Sequence, residues 1–314
     1  MTEQIVAPSG FLNIYKPAGY TSHDVVAVLR RHLPRGTKVG HTGTLDPQAT
    51  GVLPICVGKA TRLAEYFTAL PKTYLGELML GASTDTYDRW GNIVAESDPD
   101  KLTAVSEDDF LAVLPEFCGV IEQVPPMVSA VKMGGKKLYQ LARAGVEIER
   151  PPRRVQIFSL VVEQLALPRA VLRVNCSSGT YIRSLFHDIG ARLGVGAYLS
   201  ALERLAVGVF TAENALPLAE AEAMLAHGDY SVLLPLDMGI SHLPRIDLAD
   251  ERDYHSALCG RDVVLGLSEP EAAACRVYYQ GRLLGIGETC YEAQSCACNE
   301  MLLLHMDKVL AGTK

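Results

Sequence analysis

The 314-residue chain has no apolar run of membrane-spanning length, which excludes a helical membrane protein. Its first residues, MTEQIVAPSG, lack a basic segment followed by an apolar stretch. No secretory signal is visible, and the expected compartment is the cytoplasm, with the eight cysteines mostly reduced. An excess of positive charge is missing as well. The net charge of −7 excludes a uniformly basic nucleic-acid binder. Internal repeats and low-complexity tracts are absent, which removes the solenoid and compositional classes.

Three familiar signatures also fail. Gly58-Lys59 resembles the end of a phosphate-binding loop, but Ala60 stands where Ser or Thr is required and Leu53 where the first Gly is required. Cys290, Cys296, Cys298 and His305 lack the close ligand pairs of a structural zinc site, so buried or incidental thiols are the default. No Ser-His-Asp array sits on a nucleophile elbow.

What is present is an ordinary globular balance, 48% hydrophobic and 21% charged, with length for one large domain or a larger and a smaller one. The charge is unevenly spread. Lys132 to Arg154 holds seven basic residues against Glu147 and Glu149. Lys16 to Lys38 holds five against Asp24, whereas Asp85 to Glu122 holds ten acidic residues against Arg89 and Lys101. A polyanion senses the nearby face, because charges are screened over about 8 Å. Basic patches on an acidic protein can therefore still take up phosphates.

Strands are expected over Phe11 to Tyr15, Gly51 to Gly58, Lys72 to Leu80, Val155 to Leu167 and Val171 to Cys176. Helices are expected after Thr21-Ser22, from Ala60 to Thr68, from Ser106 to Leu114, around Leu138 to Ala142 and from Tyr181 to Leu193. Leu199 to Leu205 reads as a short apolar segment. Asp85 and Asp88 read as turn residues, since two carboxylates do not make a divalent site. Past His242-Leu243-Pro244 the chain becomes β-rich, with a hairpin turn at Gln280-Gly281. The pattern is α+β.

One loop stands out. GHTGTLDPQATGVLPI, Gly40 to Ile55, sets Asp46 among turn formers ahead of a buried strand. Asp46 is either an Asx-turn residue bonding its own backbone or a carboxylate aimed into a cleft. Tyr74 lies in a later strand, and Tyr181 and Arg183 lie in CSSGTYIRSL, a turn that opens a helix. Burying Arg183 is costly unless it meets a carboxylate, and Asp46 is the candidate.

The loop with its strand, GHTGTLDPQATGVLPICVGKATRL, resembles the signature of the TruB family of pseudouridine synthases. Further blocks follow in family order: LNIYKPAGYTSHDVV, KTYLGELMLGASTDTYD, QVPPMVSAVKMGGKKLYQLARAG, CSSGTYIRSLFHDIGARLG and LERLAVGVF. The resemblance spans roughly residues 10 to 240. It implies a pseudouridine synthase fold over residues 1–243, a mixed, largely antiparallel sheet with a central cleft and a basic RNA-binding insertion at about 123–150. A small β-rich PUA-like RNA-binding domain would follow over 244–314.

The implied reaction converts uridine 55 of the tRNA T-loop to pseudouridine after the base is flipped from the stack. An accessory tRNA-folding activity goes with it. Asp46 would be the catalytic aspartate. Tyr74 would stack on the base and help remove the C5 proton. Arg183 would pair with Asp46, Tyr181 would contact that pair or the nucleotide, and Leu202 would wall the base pocket. His41 would fill the gap the base leaves, and Lys16, Lys136 and Lys137 would contact the substrate. No metal, nucleotide or redox cofactor is implied, and no membrane. The partner would be the tRNA T-arm, bound by a monomer without an obligate protein partner.

Glu203 departs from the family, standing where a basic residue is common. It would weaken RNA contact if it met phosphate and have no effect if it faced solvent. The rival classes are an RNA-folding protein without chemistry and a synthase for another RNA. The combination of Asp46, Tyr74 and Arg183 favours the enzyme.

Overall fold

The computed structural model describes residues 8–129, 131–146, 148–266, 269, 271–293 and 300–311. The first strand, β1 (Gly10–Lys16), leads into α1 (Ser22–Arg30). A capping box starts that helix: Thr21 Oγ accepts from the Asp24 amide, and the Asp24 carboxylate accepts from the Thr21 amide. Next, β2 (Val39–His41) and β3 (Thr50–Val57) pair antiparallel and enclose the Asp46 loop. A 3₁₀ turn over Gly58–Leu63 and the short α2 (Ala64–Thr68) replace the single helix expected there.

The alternating segment KTYLGELML forms β4 (Lys72–Leu80). A hairpin of β5 (Ala82–Thr84) and β6 (Ile93–Glu96) carries the acidic loop at its tip, where sequence showed only loop. After α3 (Pro99–Ala104), α4 (Glu107–Val113) and β7 (Gly119–Gln123) comes the basic insertion. It consists of β8 (Lys132–Met133), β9 (Lys136–Lys137) and α5 (Leu138–Arg143). The hairpin β10 (Arg153–Ala166) and β11 (Arg169–Cys176) then precedes α6 (Ile182–Arg192).

The segment after α6 corrects the sequence reading. It is not a short apolar stretch but β12 (Ala197–Val207), a long strand in the middle of the sheet. Its polar inward residues, Ser200 and Arg204, broke the apolar pattern that would have announced a strand. Two short strands, β13 (Phe210–Thr211) and β14 (Leu216–Pro217), and α7 (Leu218–Ala226) complete this part. The ten-stranded sheet runs β14-β1-β3-β12-β4-β11-β10-β7, with β2 on β3 and β13 on β12. Every pairing except β1 with β14 and β3 with β12 is antiparallel.

Helix α6 buries Ile182, Leu185, Phe186 and Ile189 against Leu78, Leu172 and Val174. A second cluster joins Val25 and Leu29 of α1 to Leu53, Ile55 and Leu225. Two glycines make the centre this compact. A side chain at Gly76 would meet the Phe186 ring at 2.7 Å, and one at Gly51 would meet the Arg204 carbonyl at 2.2 Å.

The remaining strands, β15 (Arg245–Leu248), β16 (Val263–Leu265), β17 (Ala272–Tyr279), β18 (Arg282–Ala293) and β19 (Glu300–Val309), form a separate five-stranded sheet joined by α8 (Glu251–Leu258). Gln280 and Gly281 make its hairpin turn, both at positive φ. Ile286 and Leu310 of this unit pack into the cluster of Phe11, Phe67 and Phe210. Lys59 Nζ donates to the Leu310 carbonyl at 2.7 Å, and Tyr66 donates to Asp307 at 2.9 Å. The architecture is α+β, as expected. Cys296 and Cys298 lie outside the described residues, and His305 pairs with Asp262 at 2.9 Å. No helix among the described residues is long and apolar enough to cross a membrane.

Candidate active site

The Asp46 loop is held from three sides. Ser22, buried at the start of α1, accepts the Leu45 amide at 2.8 Å and donates to the Leu45 carbonyl at 3.2 Å. The Pro47 carbonyl accepts from the Gly19 amide and from Lys16 Nζ, each at 2.9 Å. The Asp46 carbonyl accepts the Ala49 amide at 3.1 Å, a tight turn. Backbone demand is met by neighbours, so the carboxylate is free to point outward. It is not consumed by an Asx-turn.

Lys16 corrects an expectation. Its side chain is fully buried, and its ammonium donates to the carbonyls of Pro17, Tyr20 and Pro47 at 2.9, 2.7 and 2.9 Å. Burial pushes it down to about 8, against the attraction of Asp46. An ammonium with no exposed surface ties the loop after β1 to the Asp46 loop. It is a positioning residue rather than a substrate contact.

Arg183 arrives from the first turn of α6. The Gln123 side chain fixes that turn, accepting the Tyr181 amide at 2.8 Å and donating to the Tyr181 carbonyl at 3.0 Å. The guanidinium meets Asp46 in a two-point pair, Nε to Oδ2 at 2.9 Å and Nη2 to Oδ1 at 3.1 Å. It also donates to the carbonyls of Val128 at 2.9 Å and Thr86 at 3.2 Å, and it lies 3.6 Å from Asp88. The arginine side chain is 4% exposed, the aspartate 41%. A buried cation thus fixes an accessible carboxylate, and the fork geometry sets its orientation.

Beside this pair is a cavity of about 230 Å³ lined by Asp46, Lys72, Tyr74, Tyr181, Arg183 and Leu202, with Arg204 on its wall. Sequence reasoning missed Arg204, Lys72 and the pairing of Asp88. Arg204 is 1% exposed; it donates from Nε to the Val52 carbonyl at 2.7 Å and from Nη2 to the Gly43 carbonyl at 3.1 Å. Its charge also acts on the Tyr74 hydroxyl across the cavity. Lys72 Nζ donates to the carbonyls of Thr68 and Leu70, each at 2.7 Å, and burial with Arg204 nearby lowers it to about 8. Burial raises the Tyr74 phenol, partly opposed by Arg204. Alternation over Ala197 to Val207 would have set Ser200, Leu202 and Arg204 on one face of a strand, and that face borders the cavity.

The other expected residues fall as follows. His41 ends β2 and lines a larger cleft of about 970 Å³ that shares Asp46 with the small cavity. The side chains of Lys136 and Lys137 lie outside the described residues. Glu203 is half-buried and accepts from the Tyr15 hydroxyl at 2.9 Å. Asp85 and Asp88 are turn residues, accepting from Asn92, Thr86 and the Trp90 amide, and Asp88 adds its contact with Arg183.

Residues 30–182 match the model of the TruB family pseudouridylate synthase N-terminal domain, and residues 183–241 match the tRNA pseudouridylate synthase B C-terminal domain. The chain is 46% identical to tRNA pseudouridine synthase B of Dehalococcoides mccartyi, covering 84% of this chain and 87% of that one. It is 50% identical to the protein of that name from Symbiobacterium thermophilum, covering 76% and 78%. Among solved structures, a chain of a Cbf5-Nop10-Gar1 complex is similar with a TM-score of 0.71 at 27% identity, covering 96% of this chain and 84% of that one.

Proposed function

The chain belongs to the TruB family of pseudouridine synthases, and from that premise we propose that it converts uridine 55 of the tRNA T-loop to pseudouridine with Asp46 as catalytic carboxylate. The observation that carries this reading is the half-exposed Asp46 held by the buried Arg183 at the edge of a base-sized cavity. In this reading residues 1–243 do the chemistry and residues 244–314 add RNA contact.

The reaction is an isomerisation. The bond from N1 to C1′ breaks, a bond from C5 to C1′ forms, and the C5 hydrogen is replaced as N1 gains one. Asp46 either attacks C1′ or takes the 2′-proton, and in both routes it is regenerated, so no co-reactant is consumed. Arg183 keeps the carboxylate ionised and aimed. The detached uracil carries negative charge, and the buried cations Arg204 and Lys72 line the cavity that receives it. Leu202 and Tyr74 make the apolar walls that keep water from intercepting C1′. Because burial favours the protonated Tyr74 phenol, its part at C5 is a relay: its oxygen accepts the C5 proton as its own proton passes by way of solvent to N1.

His41, at the entrance to the larger cleft, would occupy the space left by the flipped nucleotide and offset part of an unstacking cost on the order of a few kcal/mol. The basic insertion with Lys136 and Lys137 would follow the RNA backbone. Incubating the protein with an unmodified tRNA transcript, then mapping pseudouridine by carbodiimide-blocked primer extension, tests the reading. A stop at one T-loop uridine is expected. Stops elsewhere would reassign the substrate, and none at all would overturn the activity.

A further inference from the structure

The chain has one tryptophan, and it is not in the core. Trp90 sits on the acidic loop between β5 and β6 and is 51% exposed. Its position is built rather than loose. The Trp90 amide donates to Asp88 Oδ1 at 3.1 Å, and Thr86 Oγ1 donates to the same oxygen at 2.7 Å. The flanking backbone bridges to β12, through the Arg89 amide to the Leu199 carbonyl at 2.9 Å and the Leu199 amide to the Tyr87 carbonyl at 3.0 Å. The Arg89 guanidinium lies 5.7 Å from the indole centroid.

The indole borders a second cavity of about 240 Å³. Asp46, Arg183 and Leu202 line both this cavity and the one beside Tyr74, so the two share a wall. Leu199 and Ala49 are apolar surfaces of the second cavity, and Gln48 is an exposed amide among its lining residues. Asp46 and Asp88 already share the charge of Arg183, and two carboxylates repel a phosphate. A neutral flat ring suits this space. Aromatic stacking is also how single-stranded bases are commonly held.

We propose that this cavity is a second nucleobase subsite, in which Trp90 stacks on a base adjacent to the target uridine in the same strand. The proposal rests on the reading of the chain as an RNA uridine isomerase. It assigns Trp90 a role in substrate binding, outside the bond-making steps.

The test uses an RNA stem-loop containing the target uridine, and the same RNA with an abasic residue 5′ or 3′ of it. With intact RNA, Trp90→Ala should raise KM roughly 5- to 100-fold, the loss of one stacked base, with kcat within threefold of wild type. Trp90→Phe should recover most of the loss. One of the two abasic RNAs should cost the wild type a similar factor and cost Trp90→Ala no more. That RNA should also fail to quench Trp90 fluorescence, which intact RNA quenches.

Penalties that multiply in full for both abasic RNAs would overturn the subsite. So would a fall in kcat at unchanged KM, the mark of a residue that merely supports Asp88. If the wild type forms no pseudouridine in any RNA, the isomerase reading fails. The fluorescence comparison still decides the subsite in that case.

Discussion

Two buried arginines border the same cavity and are satisfied in opposite ways. Arg183 spends its donors on Asp46 and two carbonyls and lies beside Asp88, so its charge is matched by carboxylates. Arg204 donates to the carbonyls of Val52 and Gly43, and among the described residues no carboxylate pairs with it. The consequences are visible next door. Lys72 is pushed down to about 8, by burial first and by Arg204 second. The matched arginine fixes a carboxylate in one orientation. The unmatched one leaves positive potential where the base would sit. A buried ion of one type thus serves geometry at one wall and electrostatics at the other.

The largest effect expected at the matched wall is that of Asp46→Asn. Turnover should fall by on the order of 10⁴-fold or more, with RNA affinity within a few fold, measured by multiple-turnover pseudouridine formation and by filter binding. Near-normal turnover, with contaminating wild type and deamidation excluded, would remove Asp46 from the chemistry.

The comparison itself is sharpened by setting Arg183→Lys against Arg204→Met. Lysine retains the charge and loses the two-point fork, and kcat should drop by about 10²-fold. Methionine removes the potential and the bonds to Val52 and Gly43 while leaving the Arg183 fork to Asp46 its partners, and kcat should drop by about 10-fold. A larger loss in Arg204→Met than in Arg183→Lys would invert the roles assigned here.

Lys72 gives a test by pH. Its folded value of about 8 lies below the ordinary lysine value of 10.5, so the unfolded chain binds more protons between the two. The burial penalty is therefore fully present below pH 8 and is relieved as pH rises toward 10.5. Urea unfolding of wild type and Lys72→Met at pH 7.5 and 9.5 should show the difference shifting toward wild type by about 1–2 kcal/mol. A pH-independent difference would mean that Lys72 is not held as a penalised cation.

The smallest effect concerns the basic insertion, which tests whether electrostatics extend beyond the cavity. Replacing Lys136 and Lys137 with Ala should reduce the slope of log affinity against log salt by about 1–2. An unchanged slope would confine the electrostatic contribution to the buried cations.

Local patterns made much of this legible in advance. Alternation marked β4 at its observed ends, Thr21 and Ser106 marked helix starts, and Gln280-Gly281 marked a hairpin. Each depends on residues within a few positions of one another, and backbone geometry reads such patterns directly. The misreadings share the opposite character. Lys16 looked like an available cation in a basic stretch, yet its carbonyl partner on Pro47 lies 31 residues away. Glu203 meets Tyr15 across 188 residues.

By itself, then, the sequence determined the ordered blocks, the α+β class and the residue types of a carboxylate site, because periodicity and turn chemistry are local. The tertiary structure alone decided that Arg183 reaches Asp46 across 137 residues and stands beside Asp88. It also decided that Arg204 faces the cavity from a central strand and that Trp90 borders a second one. Those outcomes depend on which strands pair and in what register, and long-range burial and hydrogen bonding set that only when the whole sheet closes.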